Sequence, residues 1–199
     1  MNDEIRRGVE LILKGLNEDV NREGIIETPK RVARLFENIF YGYQKKLIAM
    51  DEKTRNGDTY SKDIIPITIF NSEYDEMLIR EVNCISFCEH HMVPFPCKVY
   101  VGIIPNKKIL GLNKIDQIVK YFAARLQIQE RMVEDIASWI NNNLKPLGVM
   151  VVIKGRHFCA ELQGDSGEFI TSSTKGVFLQ PEKGKTPKEE FLKLIDHFK

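Results

Sequence analysis

Two short segments concentrate the side chains that could do chemistry. The first is Cys88-Glu89-His90-His91, which holds two of the four histidines in the chain. The second is His157-Phe158-Cys159. Thiolate and imidazole together are the ligands that Zn²⁺ prefers in proteins, so the two segments indicate a possible zinc site.

The spacing within these segments suggests which side chains would bind the metal and which would carry protons. Cys88 and His91 have C-x-x-H spacing, which lets a tight turn direct both side chains toward one cation, and Cys159 could supply the third ligand. Three protein ligands leave the fourth zinc position open for a water whose pKa falls toward about 7. His90 and His157 would then flank the metal as proton donors or acceptors, since histidine titrates near pH 6.5 or so.

Two other interpretations of the C-x-x-H pair remain open. The pair could be a buried cysteine beside a surface histidine, with no metal. Alternatively, the zinc could be structural, with Cys84 or Cys97 as its fourth ligand. The H-x-E and P-C-x-x-C signature of nucleobase deaminases is absent, which disfavours that class of zinc hydrolase.

The composition is that of an ordinary soluble globular protein of one domain or two small ones. The chain has 199 residues, of which 43% are hydrophobic and 29% are charged. Its net charge of +1 argues against nucleic-acid binding. No apolar run approaches the roughly 20 residues of a membrane span, and the N-terminus lacks a signal core, so we expect a cytoplasmic protein.

Hydrophobic periodicity predicts the elements that must position these segments. Helices are expected over 3–16 with Asp3 as N-cap, from Thr28 as cap to about 40, from about 113, over 129–144 and over 187–198. Their inward faces would include Ile115, Ile118, Val119, Phe122, Met132, Ile136, Trp139 and Ile140. Three strands are expected at 64–70, 77–82 and 97–104. Residues 149–154 and 157–163 are expected to form a hairpin that turns at Gly155, and a further short strand is expected within 164–175. The order predicts an α+β fold with an antiparallel sheet, and 51–63 as an exposed loop.

Several separated motifs resemble one family. They are Thr28-Pro29-x-Arg31-Val32-Ala33, Cys88-Glu89-His90-His91, Pro105-Asn106-Lys107, Gly111-Leu112-x-Lys114, Gln129-Glu130-Arg131, His157-x-Cys159 and the closing Phe191-Leu192 helix. They occur in the order seen in GTP cyclohydrolase I. The resemblance covers nearly the whole chain, and the agreement of several motifs is more specific than any one of them.

The resemblance implies a fold, an assembly and a reaction. The family has the tunnelling fold, an antiparallel sheet backed by two helices with an N-terminal helical extension, which predicts a helical region over 1–62 and a catalytic domain over 63–199. Subunits of the family join their sheets into rings that stack as a homodecamer, with sites at subunit interfaces. The reaction opens the imidazole ring of GTP, releases C8 as formate and gives 7,8-dihydroneopterin triphosphate, which feeds folate, biopterin and deazapurine routes.

Residue by residue, the resemblance assigns Cys88, His91 and Cys159 as zinc ligands and His90 and His157 as acid–base residues. A purine C8 is a poor electrophile until N7 is protonated, so a histidine acid beside an activated water would address both halves of the attack.

Glu130 matches the guanine anchor, because one carboxylate can accept from both N1–H and the exocyclic amine. The competing interpretation of Glu130 is a solvated glutamate favoured by the helix dipole. Gln129 is expected in the same pocket.

The expected phosphate-binding end departs from the family. The family has a Ser-Lys pair and then an Arg three residues after the Lys, where this chain has Asn113, Lys114 and Gln117. Gln163 replaces an Arg four residues after the second zinc cysteine. If 157–163 is a strand, Gln163 points where that Arg would, but without charge. Two guanidinium groups, which make strong bidentate contacts to phosphate, are therefore missing.

Three explanations remain open. Arg31, Arg156 or Lys175 could compensate, so that GTP is still the substrate, although Arg156 should face the other side of its strand. Alternatively, the substrate could be a guanine nucleoside or nucleotide with a less charged tail. Thirdly, the protein could be a non-catalytic pterin-binding or purine-binding module, which would not need both His90 and His157.

Overall fold

A computed structural model describes residues 3–50, 61–179 and 186–197. The helices are α1 (Asp3–Gly15), α2 (Thr28–Ile39), α3 (Leu112–Ala123), α4 (Gln129–Leu144), α5 (Phe158–Glu161) and α6 (Pro187–Asp196). The strands are β1 (Lys46–Met50), β2 (Ile64–Asn71), β3 (Leu78–Cys88), β4 (Pro94–Ile104), β5 (Lys108–Leu110), β6 (Leu126–Gln127), β7 (Gly148–Arg156) and β8 (Glu168–Gly176).

The main sheet has five strands in the order β6-β3-β4-β7-β8. β3, β4, β7 and β8 pair antiparallel, whereas the two-residue β6 runs parallel to the end of β3. A smaller sheet has the order β1-β2-β5, in which β1 and β2 are parallel. The α+β class with a largely antiparallel main sheet is therefore confirmed.

Alternate residues of the sheet form two apolar layers. Val99, Val101 and Ile103 of β4 pack in one core with α3 and α4. Tyr100 packs on the opposite face, in a cluster with Phe191 of α6. The α3 and α4 residues predicted to face inward are buried, except for Trp139, which is partly buried against this core. Each fully buried aliphatic side chain contributes about 1.5–3 kcal/mol, so these layers fix the framework that carries the cavity.

β3 and β4 are longer than predicted, and their extra residues matter most for the site. β3 runs on to Cys88, and β4 begins at Pro94 rather than at Cys97. Prolines usually end a central strand because they lack a backbone N–H. Here the pairing of β4 with β7 begins only at Cys97, so Pro94 and Pro96 lie where β4 has one neighbour, β3.

The predicted hairpin of 149–154 and 157–163 is wrong. β7 ends at Arg156, and a single helical turn, α5, follows in place of a strand. The strand that pairs with β7 on the side away from β4 is β8, in a register that places Gly155 opposite Phe169.

Other sequence-based predictions need smaller corrections. Asp3 and Thr28 lie in the first turns of α1 and α2 rather than outside them, with Glu27 as the N-cap of α2. β1, β5 and β6 were not predicted. Most of the predicted 51–63 loop lies outside the described residues. No helix in the described ranges has the length and apolar character needed to cross a bilayer.

Candidate active site

The first two metal-ligand candidates lie at a tight turn between β3 and β4. Cys88 is the last residue of β3, its N–H donates to Val93 O at 2.9 Å, and its carbonyl accepts from Met92 N–H at 2.8 Å. Met92 closes the turn with a left-handed backbone, at φ +56°. The turn brings His91 Nδ1 to 3.8 Å from Cys88 Sγ.

Cys159 reaches the same point from the other side. His157 is extended, and α5 then folds back so that Cys159 faces Cys88 and His91. The three candidate ligand atoms all lie within 4.8 Å of one another. Burial raises the pKa of the Cys159 thiol, and the neighbouring Cys88 raises it further. A cation between the sulfurs would favour the thiolate form instead.

The donor set fits zinc. A tetrahedral zinc with ligand bonds of 2.0–2.3 Å holds its donor atoms roughly 3.3–3.8 Å apart, close to the spacing seen between Cys88 and His91. Cys84 and Cys97 are not members of this group. They lie opposite each other on β3 and β4, with their sulfurs 3.3 Å apart. Within residues 3–50, 61–179 and 186–197 the group therefore has three members, and a zinc held by them would keep one coordination position for water or substrate, as in catalytic zinc sites.

His157 is held rigidly beside this group. Its ring stacks on Phe95 with centroids 4.5 Å apart and meets the edge of Phe169 at 5.3 Å. Burial lowers the pKa of His157, and the charge of Glu130 opposes that shift. The packing therefore favours a neutral imidazole with one proton.

Gln129 determines which nitrogen of His157 carries that proton. Gln129 is buried at 3% exposure, and its Nε2 contacts three acceptors, which identifies the amino end of the amide. These acceptors are Ile153 O at 3.1 Å, Phe169 O at 3.1 Å and Thr171 Oγ1 at 3.0 Å. Gln129 Oε1 consequently faces His157 and accepts from Nε2 at 3.0 Å. Nδ1 of His157 is left as the nitrogen that can accept a proton.

Gly155 makes room for this amide. A Cβ at position 155 would lie 2.1 Å from Gln129 Oε1, so the amide would have to move and give up the hydrogen bonds that hold it. Glycine at this position is therefore a packing requirement of the Gln129–His157 pair.

One cavity of about 350 Å³ joins these groups. This volume lies within the range of small-molecule sites, about 300–1,000 Å³. The cavity is lined by seven of the residues predicted from the sequence, namely Cys88, His90, His91, Gln129, Glu130, His157 and Cys159. Glu130 is exposed in the first turn of α4, and His90 is exposed on the β3–β4 turn.

Comparison with known proteins agrees with this arrangement. The sequence profile of GTP cyclohydrolase I matches residues 5–196. The chain belongs to the GTP cyclohydrolase I family. A GTP cyclohydrolase 1 from Campylobacter jejuni is 40% identical over 195 residues, covering 96% of this chain and 94% of that protein.

Two further relatives are equally similar. A GTP cyclohydrolase 1 from Aquifex aeolicus is 40% identical over 199 residues, covering 97% of this chain and 96% of its own. One from Saccharomyces cerevisiae is 39% identical over 195 residues, covering 96% of this chain and 73% of its own. With the α+β architecture described above, the fold is the tunnelling fold of the GTP cyclohydrolase I family.

Five predicted substrate-binding residues of this family member do not line the cavity of the single chain. Asn113, Lys114 and Gln117 lie at the start of α3, where Lys114 Nζ donates to Pro66 O at 3.0 Å and to Gln117 Oε1 at 3.1 Å. Arg31 is exposed on α2 and lines a separate basic cavity with Lys30 and Arg34. Gln163 is the fifth.

The strand argument that aimed Gln163 at the phosphate end is wrong. The carbonyl of His157 accepts from Ala160 N–H at 3.0 Å and Glu161 N–H at 3.1 Å, so this segment closes into α5. Gln163 follows that turn, and its amide donates back to Cys159 O at 2.8 Å.

Two of the possible compensating cations already have carboxylate partners. Arg156 pairs with Glu161, including a contact from Nη2 to Oε2 at 2.9 Å. Lys175 pairs with Glu134 on α4. Within this chain, both cations are therefore occupied by structural ion pairs.

Sequence reasoning missed several residues of the site. Gln127, Ile128, Phe169 and Thr171 also line the cavity. Phe169 and Thr171 could have been found had β8 been paired with β7, since the register places them opposite Gly155 and Ile153. Glu89, for which the sequence indicated no role, forms an ion pair with Arg131, which lowers the pKa of the Glu89 carboxyl.

Proposed function

We propose that this protein is a zinc-dependent GTP cyclohydrolase I that opens the imidazole ring of GTP, releasing formate and forming 7,8-dihydroneopterin triphosphate. The observation that carries the proposal is the convergence, in one cavity, of the Cys88–His91–Cys159 group with an oriented histidine. A metal-ligand group alone would not specify the reaction. Membership of the GTP cyclohydrolase I family supports GTP as the substrate, and the products are those that the resemblance implies.

Zinc held by Cys88, His91 and Cys159 would supply the Lewis acidity that activates water for hydrolysis. The protein side chains would do the rest. Glu130, at the cavity wall, would accept from N1–H and the exocyclic amine of guanine and so orient the purine. Its position in the first turn of α4 places the carboxyl group at the wall of the cavity that also holds the metal-ligand candidates.

The two histidines would divide the proton transfers. His157 is half-buried, and burial lowers its pKa, so it would be suited to accept a proton at Nδ1 while Gln129 Oε1 accepts the hydrogen of His157 Nε2. His90 is an exposed residue of the cavity lining and would deliver a proton to purine N7. Protonation of N7 makes C8 electrophilic, and C8 is the atom that leaves as formate.

The phosphate end is proposed to be completed by neighbouring copies of the chain. Asn113, Lys114, Gln117 and Arg31 all lie outside the cavity of their own chain. β6 and β8 are the edge strands of the main sheet, and paired edges are the usual way to extend a sheet between subunits. A homo-oligomer, a decamer in this family, would bring these residues to the cavity of an adjacent subunit. Gln129 would then act mainly by positioning His157, and Gln163 by holding the backbone at Cys159.

A second candidate has support of its own. Gln163 binds a backbone carbonyl, while Arg156 and Lys175 are paired with carboxylates. The same ring-opening chemistry on a guanine nucleoside or monophosphate would need fewer cations than GTP does.

The test is to supply zinc-loaded protein with GTP, GMP or guanosine and to measure formate and pterin fluorescence. Formate and pterin from GTP at a kcat/KM well above that for guanosine support GTP as substrate. Preference for guanosine or GMP supports the second candidate. Tight binding of pterin without formate from any of the three would support a non-catalytic module and contradict both enzymatic proposals.

A further inference from the structure

We propose that Glu89 and Arg131 are positioning residues that hold the metal-binding turn against the start of α4. Glu89 lies between the candidate ligands Cys88 and His91, and Arg131 follows the candidate guanine anchor Glu130. The inference rests on the proposed function, because it concerns the distance between the metal group and the guanine pocket.

Arg131 is itself firmly anchored. Its Nη2 pairs with Glu89, its Nε donates to Gln127 Oε1 at 3.1 Å, and its Nη2 also reaches Leu126 O at 3.4 Å. Gln127 is buried at 2% exposure and donates to Phe122 O at 3.0 Å. The guanidinium therefore connects the turn to β6 and to the end of α3 as well as to α4.

The turn is a segment that needs such support. Met92 adopts φ +56°, a conformation that residues with side chains rarely take, and its side chain is 49% exposed. Such conformations persist where neighbouring contacts over-determine them. The backbone supplies one contact from outside the turn, from Glu89 N–H to Gln127 O at 3.1 Å. The Glu89–Arg131 pair adds a second at the same residue.

The position of this pair distinguishes it from an ordinary surface ion pair, which contributes little to stability. It joins residues 42 positions apart, on the two elements that carry the metal group and the guanine pocket. Glu18 and Arg22 provide a matched comparison. Their side chains are 33% and 50% exposed, against 32% for Glu89 and 44% for Arg131, but their pair is local, at i,i+4.

The experiment compares Glu89→Ala with Glu18→Ala in the full chain. Loss of a residue that orients metal ligands typically costs 10–100-fold, so we expect about tenfold faster zinc release to a chelator from Glu89→Ala and about tenfold lower kcat. KM for GTP should change little, because Glu130 is held by α4 itself. In metal-free protein, amide hydrogen exchange at Glu89 should accelerate. Glu18→Ala should match the wild type in all four measurements.

Two further variants test whether the pair acts as a unit. Glu89→Gln keeps an acceptor for Arg131 and should restore zinc retention and kcat part of the way. The double variant Glu89→Ala/Arg131→Gln should be no worse than Arg131→Gln alone, because both members of the pair are then already lost.

The proposal would be overturned if Glu89→Ala matched Glu18→Ala in zinc release, kcat and amide exchange. Fully additive effects in the double variant would do so as well. Failure of the wild type to release formate from GTP would instead contradict the proposed function. The zinc-release and metal-free exchange measurements would still decide the role of Glu89 in that case.

Discussion

Gln129 Oε1 accepts a hydrogen bond from His157 Nε2 at 3.0 Å, and the three contacts of Gln129 Nε2 prevent the amide from turning around. This contact fixes the tautomer of His157 and orients its ring within the cavity. Gln129 was expected from the sequence to bind substrate. That role stays a prediction, and from the geometry we propose that Gln129 also positions His157, the proposed acid–base residue.

Gln129→Ala should therefore lower kcat far more than it raises KM for GTP. Loss of an oriented acid–base group costs about 10²–10⁴-fold in rate, and we expect the lower end because His157 itself remains. Zinc content should be unchanged. Steady-state kinetics with GTP provide the measurement. A large rise in KM with kcat preserved would show that Gln129 binds substrate after all. Asn143→Ala, an exposed amide at the far end of α4, is the control.

Gly155→Ala should disrupt the same pair by steric conflict. Its Cβ would meet Gln129 Oε1 at 2.1 Å in a packed interior, and overpacking of this kind costs about 1–3 kcal/mol. Urea denaturation should show the loss of stability, and formate release should fall with it. Gly8→Ala in α1 is the matched control, because no atom lies within 4 Å of its added Cβ. A methyl group there should stabilise the helix by about 0.5–1 kcal/mol. Equal stability changes in the two variants would contradict the packing argument.

Substitution of a proposed metal ligand should remove zinc from the purified protein, whereas substitution of a proposed proton carrier should not. Cys159→Ser should lose zinc, because the hydroxyl is a poor replacement for a thiolate in this group, whereas His157→Ala should keep zinc and lose activity. Elemental analysis of the purified variants gives the answer. Cys84→Ser, whose sulfur faces Cys97, should retain the metal. Zinc loss from His157→Ala would contradict the division of roles, and zinc loss from Cys84→Ser would favour a structural four-ligand site.

The Glu134 cluster should contribute to acid sensitivity. Lys175, Ser173 and Ser138 all bind the Glu134 carboxylate and lower its pKa from 4.5 to about 2. Because the folded-state pKa is depressed, the stabilisation is complete above pH 4.5 or so and is lost as the pH falls toward 2. The difference in unfolding free energy between wild type and Glu134→Gln should thus be constant from pH 5 to 7 and shrink below that range. Urea titrations at several pH values measure it.

Salt provides the check on this cluster. The Glu134 side chain is half exposed, so the difference in unfolding free energy between wild type and Glu134→Gln should also decrease at high ionic strength. A stability difference that stays the same from pH 7 to pH 3 would show that the cluster does not act through the charge of Glu134.

The sequence was informative where periodicity and residue chemistry acted together. Ile115 and Met132 have helical spacing, and both are buried as predicted. Cys88, His91 and Cys159 were chosen by ligand type, and they converge in the structure. Short-range patterns failed where backbone geometry decided the outcome. The alternation of residues 157–163 suggested a strand, but hydrogen bonds to His157 O close a helical turn there.

Long-range pairing was also invisible in the sequence. Nothing local to Glu89 indicates Arg131, and nothing local to Gln129 indicates that its amide faces His157 rather than substrate. These contacts depend on the β3–β6 register and on the packing of α4 against β7 and β8. The phosphate-binding predictions, Lys114 and Gln163 among them, stay predictions, since these residues do not line the cavity of their own chain.

We propose above all that the residues of this cavity hydrolyse the imidazole ring of guanine and release C8 as formate. The most direct measurement supplies zinc-loaded protein with GTP carrying ¹³C at C8 and follows the label by NMR. We predict that the label moves from the purine C8 resonance to formate, in step with the appearance of pterin fluorescence, and that His157→Ala abolishes this transfer while keeping its zinc. Label that stays in the nucleotide, in protein shown to hold zinc at Cys88, His91 and Cys159, would contradict the account.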